Sequence, residues 1–268
     1  MAITTQDGLV SALGGAQRLI VNKANVTAVA GRTLSLWSAA GQPGVGSTTL
    51  GNATSGAVPV STDTGAVPFT NPGSGNSYLA GIRGMSAATG LIIIYDLLWC
   101  WDSPSWSVTA TTAQSTVSPT ALTRPDSTGA STAMWIETLA VGGAASGTCT
   151  ISYTNSSGTA GHSSSLLATK ISAPPIGTIE RMTLQAGDSG VQSVQSLTHS
   201  ATWTSGTFRL AIVREVAAVP CTANVGFMYD AYDLGLPRVY DSACLGVAFS
   251  ANSTATGPTV MTISLAQG

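Results

Sequence analysis

Charge is what this chain has least of. Only 8% of its 268 residues are Asp, Glu, Lys or Arg, against about a quarter in ordinary soluble domains. The net charge of −2 supplies no basic field for holding phosphates, so nucleic acid is not an expected partner. Cysteine is also scarce. Cys100, Cys149, Cys221 and Cys244 have no C-x-x-C or other close spacing, which argues against a zinc knuckle and against a disulfide framework. Their apolar neighbours predict buried free thiols. Long hydrophobic runs are missing too. The most apolar stretch, Leu91 to Trp101, is interrupted by Asp96 and falls short of the roughly 20 residues a membrane helix needs. The opening residues contain no basic segment followed by an apolar one, which predicts no secretory signal and no membrane partner.

The low charge is not a mark of disorder. The chain is 44% hydrophobic with a mean hydropathy of +0.29, enough to build a core. Its surface must then be covered largely by Ser, Thr, Gly, Ala and Asn, which lose little entropy on ordering and carry no charge to desolvate. Lysine, the residue most depleted at interface cores, occurs only as Lys23 and Lys170. Such a composition suits permanent association with other protein. A host bias towards Ala and Gly codons is the other explanation.

Along the chain, Thr5 to Leu13 reads as one short helix, capped by Thr4 or Thr5, with Leu9 and Leu13 on one face. Residues 1–40 form an N-terminal segment with short apolar stretches at Arg18–Val21 and Leu34–Trp37. Residues 41–76 are dominated by Gly, Pro, Ser and Thr and predict a long arm or loop laid across a neighbouring surface, or a disordered stretch. From residue 77 to 268 short strands alternate with turn clusters. The strongest hairpin signal is Thr148–Tyr153 and His162–Leu167 around Asn155–Gly161. In Thr207–Val213, Phe208, Leu210 and Ile212 share one face and Arg209 takes the other. The pattern predicts a mostly-β fold: an antiparallel β-sandwich of the jelly-roll kind, with a barrel as alternative, and one domain overall that incorporates parts of 1–40.

Chemistry-bearing motifs are few. Gly187-Asp188-Ser189-Gly190 resembles the nucleophile loop of chymotrypsin-like proteases over four residues. Val191 then replaces a glycine, and no histidine stands in the expected context, so a tight turn explains it better. His162 and His199 have no acid or cysteine beside them at ligand spacing, and no metal or cofactor is expected. Asp230 and Asp233 among tyrosines, and Asp96 and Asp102 near Trp99, Trp101 and Trp106, are the acids best placed for a glycosidase pair. Turn capping and hydrogen bonding explain them more cheaply. The expectation is a protein that is not an enzyme.

Several segments together resemble a family of tailed-bacteriophage virion proteins. They include Ile3-Thr4-Thr5-Gln6-Asp7 with Leu9-Val10 and Ala12-Leu13, and Leu36-Trp37-Ser38-Ala39-Ala40-Gly41-Gln42-Pro43-Gly44. Ser152-Tyr153-Thr154-Asn155 with Gly158-Thr159-Ala160-Gly161 and Leu184-Gln185-Ala186-Gly187-Asp188-Ser189-Gly190-Val191 extend the match. Leu236-Pro237-Arg238-Val239-Tyr240-Asp241-Ser242-Ala243-Cys244-Leu245 and the terminal Leu265-Ala266-Gln267-Gly268 complete it. The resemblance implies a head-associated decoration (cement) protein with a β-sandwich body and no catalytic residues. Its expected partners are the major capsid protein and copies of itself, as trimers or dimers. Its expected place is the capsid exterior, after synthesis in the host bacterial cytoplasm. A tail, neck or baseplate component is the alternative, and a virion-borne carbohydrate hydrolase or binding module stands behind both. Leu9, Leu13, Trp37, Trp101 and Trp106 are candidate interface residues, with core burial the competing role for each Trp.

Overall fold

The structure, a computed structural model, describes residues 3, 5–51, 56–105, 114–115, 122–124, 128–141, 147–166, 173–200 and 205–268. It opens with α1 (Gln6–Gly14), β1 (Gln17–Ala28), β2 (Thr33–Ser35), β3 (Gly41–Gln42), β4 (Ser77–Ser86) and β5 (Gly90–Ser105). Next come β6 (Gln114–Ser115), β7 (Ala133–Ala140), β8 (Cys149–Asn155), β9 (His162–Leu166), β10 (Thr178–Thr183), β11 (Val191–His199) and β12 (Thr207–Cys221). The chain closes with β13 (Phe227–Tyr229), α2 (Ala231–Leu234), β14 (Arg238–Val239), β15 (Leu245–Ala251) and β16 (Ala255–Gln267). The architecture is the mostly-β, antiparallel one expected, with a short helix at the N-terminal end.

The chain forms two compact units. The first holds residues 1–46, 60–96 and 215–268, and the second holds 47–59 and 97–214. These units cut across the segments read from composition.

In the first unit one sheet runs β13-β4-β16-β1-β3, with β14 also paired to β4. The long strand β16 sits at its centre, antiparallel to β1 from Gln17↔Leu265 to Ala28↔Ala255 and to β4 from Thr259↔Ser86 to Gln267↔Ser77. Alternation puts Met261, Ile263 and Leu265 inside and leaves the residues between them facing outwards. A second layer, β2-β15-β5, supplies Ile92, Val247 and Phe249 to the same core cluster as Val21, Ile82 and Ile263. Two sheets sharing one core make a β-sandwich, in which each fully buried aliphatic side chain is worth about 1.5–3 kcal/mol.

The second unit is built on the sheet path β5-β12-β7-β10-β9-β8-β11-β6. Four strands separate β12 from β11 along that path. Even so, the Phe208 and His199 rings of these two strands meet edge-to-face, 5.7 Å apart. The sheet therefore curls over on itself and encloses a second core that includes Trp99, Ile136, Ile151, Val194 and Leu210. Arg209, expected on a polar face, is 1% exposed. Both faces of β12 are covered at this point, as for a central strand.

Within 41–76 the described residues are tied to their own chain. Gly46 N–H donates to Trp37 O (2.8 Å), Val67 N–H to Leu245 O (2.8 Å), and Ala57 pairs with Cys100. Lys23 fastens the start of this stretch, donating to the carbonyls of Ala39 (3.0 Å), Pro43 (2.7 Å) and Gly44 (3.3 Å). This part of the stretch closes over the chain's own cores, because its small residues let the backbone approach closely. At Gly46, for example, a Cβ would collide with the indole of Trp37.

Candidate interaction surface

The acids singled out from the sequence are held in structural roles. Asp230 is the N-cap of α2, accepting from Tyr232 N (2.8 Å) and Asp233 N (3.2 Å), and Asp233 accepts in return from Asp230 N (3.0 Å). That is a capping box, which satisfies the open end of a helix. Asp96 is buried and accepts from Cys244 N (2.9 Å). Asp102 is fully buried in the second unit, paired with Arg209 Nε (2.7 Å) and Nη2 (2.9 Å). Glu137 takes Arg209 Nη1 (3.3 Å), and Arg209 Nη2 also donates to Ser47 O (2.7 Å). Burial works against the charge on Arg209. The hydrogen bond to Asp102 and the fields of Glu137 and Asp102 outweigh it and hold the guanidinium protonated far above its ordinary value.

The Gly187–Gly190 turn carries a contact that sequence spacing hides. Asp188 Oδ2 accepts from the Tyr153 hydroxyl and lies 2.6 Å from His162 Nδ1, while Oδ1 accepts from Asn155 Nδ2 (2.7 Å). His162 thus has an acid beside it, 26 residues away in sequence. Hydrogen bonding to Tyr153 chiefly holds the Asp188 carboxyl below its usual range, and burial together with Asp188 pushes the Tyr153 phenol up to about 12. Ser189 turns away and shares a hydrogen bond with Ser156 (3.0 Å), so the serine and histidine of a hydrolase loop are not brought together. The result is a clamp between β8, β9 and the turn before β11. His199 lies directly across from Cys149 in the β8–β11 ladder, both buried. Burial, with the field of Glu180, pushes the Cys149 thiol well above its ordinary range. Among the described residues no group of three or more His, Cys, Asp or Glu is arranged to hold a metal.

The interface candidates divide. Trp37 and Trp101 are 2% and 4% exposed, so neither stands at the surface as an anchor. Trp37 is covered by the close backbone of Gly46 and Gly65, and Trp101 belongs to the second core. Trp106 lies outside the described residues. Leu9 and Leu13 are half-buried on α1, a helix with no buried residue and with Val10 64% exposed. Thr5 caps it as expected, accepting from Gly8 N (3.0 Å). Among the described residues, its apolar side chains belong to neither core.

What sequence reading missed is the outer face of the first unit's large sheet. The registers place Ile20, Thr262, Arg83 and Met228 in one row across β1, β16, β4 and β13. Arg18, Ser264 and Gly81 form the row on one side, and Asn22, Val260 and Met85 the row on the other. Ile20 is 59% exposed, Met85 43% and Met228 72%. A groove of about 140 Å³ opens over Gly81 and Ser264, walled by Leu13 and Ala16 on one side and by Met228, Tyr229 and Asp230 on the other. Arg18 and Arg83 flank it, and neither makes an ion pair or side-chain hydrogen bond among the described residues.

No protein-family model matches the chain, and no curated protein matches it. Among solved structures, the infectious bursal disease virus VP2 subviral particle is similar at 11% identity, over 94% of this chain and 81% of that chain, with a TM-score of 0.20. The structure of the infectious bursal disease virus Gt strain is 9% identical over the same shares, with a TM-score of 0.17. Likeness at that level says nothing about how this chain folds or acts.

Proposed function

We propose that this chain is a structural virion protein that coats the outside of a bacteriophage head, bridging and stabilising neighbouring capsomers as a decoration, or cement, protein. The observation that carries the reading is the character of the surface. Charge is scarce in the chain as a whole, and Lys23, Arg124, Arg209, Asp96, Asp102 and Glu137 are buried, so few ionic groups are left for the exterior. It presents Ser, Thr, Gly and isolated large apolar groups, which protein neighbours can cover without stripping water from ions. The scattered likeness to phage virion proteins supports the same reading. Its partners are then the major capsid protein and further copies of itself.

Gold-labelled antibody against the chain, applied to particles of the phage that encodes it, tests this. Label spread over the head, with a copy number in proportion to the shell protein, is the expected result. Label confined to the neck or tail tip assigns the chain to the tail instead.

A further inference from the structure

Strands β8 to β11 stand side by side in the order β10-β9-β8-β11, so the link from β10 to β11 has two strands to cross. Such a return of the last strand to lie beside the first is a Greek key. The link spans three strand spacings, about 14 Å. We propose that its first part, Leu184–Asp188, is a strap that the Asp188 carboxylate latches across the β8–β9 hairpin, and that acid releases it while the strands beneath stay paired. The strap is independent of the capsid reading.

Tyr153 and His162 lie opposite each other in the β8–β9 ladder, and their rings meet edge-to-face, 5.9 Å apart. Asp188 reaches both, and also Asn155, two residues further along β8. Side chains alternate along a strand, so Tyr153 and Asn155 point to the same side. Tyr153 is buried in the second core, and Leu184 of the strap packs against that core. The strap therefore passes over the core-facing side of the hairpin and covers the second core at Tyr153.

Beyond the strap, backbone bonds sew the link down. Ser131 N–H donates to Ser189 O (3.0 Å) and Ser156 N–H to Gly190 O (3.1 Å). From Leu184 to Asp188, no backbone-to-backbone bond to the hairpin is present among the described residues. Side chains hold this part instead. Gln185 N–H donates to the Tyr153 hydroxyl (2.9 Å), and Ser163 N–H donates to Gln185 Oε1 (3.2 Å). The Tyr153, His162 and Asn155 side chains all converge on Asp188. Most of the hold thus runs through one carboxylate.

An ionised carboxylate only accepts hydrogen bonds, so His162 Nδ1 carries its proton, and it keeps that proton whether the ring is neutral or cationic. Oδ2 takes both the phenol and the imidazole. A proton added to Asp188 turns this acceptor into a donor facing donors, and the latch fails. Tyr153 from β8 and His162 from β9 are the titratable groups facing Asp188 among the described residues, and Asn155 does not titrate. The hydrogen bond from Tyr153 chiefly holds the carboxyl below its usual range. Lifting the strap returns it to that range. The latch is therefore in full force at neutral pH and is lost as pH falls through the lowered value.

The test is hydrogen–deuterium exchange of the full chain, read by mass spectrometry and corrected for the intrinsic rate at each pH. At about pH 6 the peptide spanning 184–190 should exchange about tenfold faster in Asp188→Asn, which keeps the shape without the charge, than in the parent. Brought to about pH 2, the parent should reach the variant's rate, while the variant shows no further change. Peptides from β7 and β12 should stay protected throughout. Tyr153→Phe removes the hydroxyl that serves both Asp188 and Gln185, so it should loosen the same peptide, and it stands in if Asp188→Asn does not fold. A strap as protected in these variants as in the parent, or unchanged in the parent on acidification, would overturn the proposal. So would a loss of protection spread evenly over β7 and β12, because the carboxylate would then hold the whole unit and not a strap.

Discussion

Lys23 is one of only two lysines, yet it is 2% exposed and held by three backbone carbonyls. Burial brings its ammonium from an ordinary 10.5 down to about 8. The folded chain therefore releases this proton near pH 8, while the unfolded chain keeps it to about 10.4. Between those values the unfolded state binds more protons, so the residue's contribution to stability rises with pH. Urea unfolding of the parent and of Lys23→Met across that window should show the parent gaining on the variant; a constant difference would contradict this placement of the lysine. Arg209 tests the second core in the same way. Arg209→Met leaves Asp102 and Glu137 buried without their cation, which should cost about 3–5 kcal/mol in equilibrium unfolding. A loss under about 1 kcal/mol, the scale of an exposed pair, would mean that water reaches the network.

At the scale of elements, α1 is the piece least needed by the body. No residue of it is buried, and its last apolar side chain, Leu13, lines the groove. Removing residues 1–15 should leave the far-ultraviolet spectrum and unfolding midpoint nearly unchanged while weakening attachment to particles. Equal decoration by the truncated chain would remove α1 from the interface. Thr5, Asp7, Leu9 and Leu13 made this helix legible in sequence, because capping and i,i+4 spacing are local signals. The hairpin of β8 and β9 was legible for the same reason, and so were β7, β10 and β11. Strand β4 was not. Its outward positions are Gly81, Arg83 and Met85, so no polar–apolar alternation marks it. The extension of β12 past Arg214 and Glu215 was likewise masked by adjacent charges. The Asp188–His162 contact joins residues that only the sheet brings together. The groove depends on four strands, β1, β4, β13 and β16, and spacing along one strand cannot reveal such a site.

For the whole molecule, the low total of charge is what matters. Ion pairs that a soluble monomer would wear outside are spent inside, on Arg209 with Asp102 and Glu137, and the exterior keeps small polar and apolar groups. Exposed charge normally keeps copies apart, so a surface built this way associates unless covered. Repetition of one modest contact over a shell would hold the coat firmly, since linked sites add avidity. The most direct measurement is saturation binding of the purified full chain to isolated phage shells stripped of it, followed by pelleting and quantitation. The result expected is saturation at a fixed ratio to the shell protein. A chain that stays in the supernatant at every concentration, leaving the shells bare, would contradict the central claim.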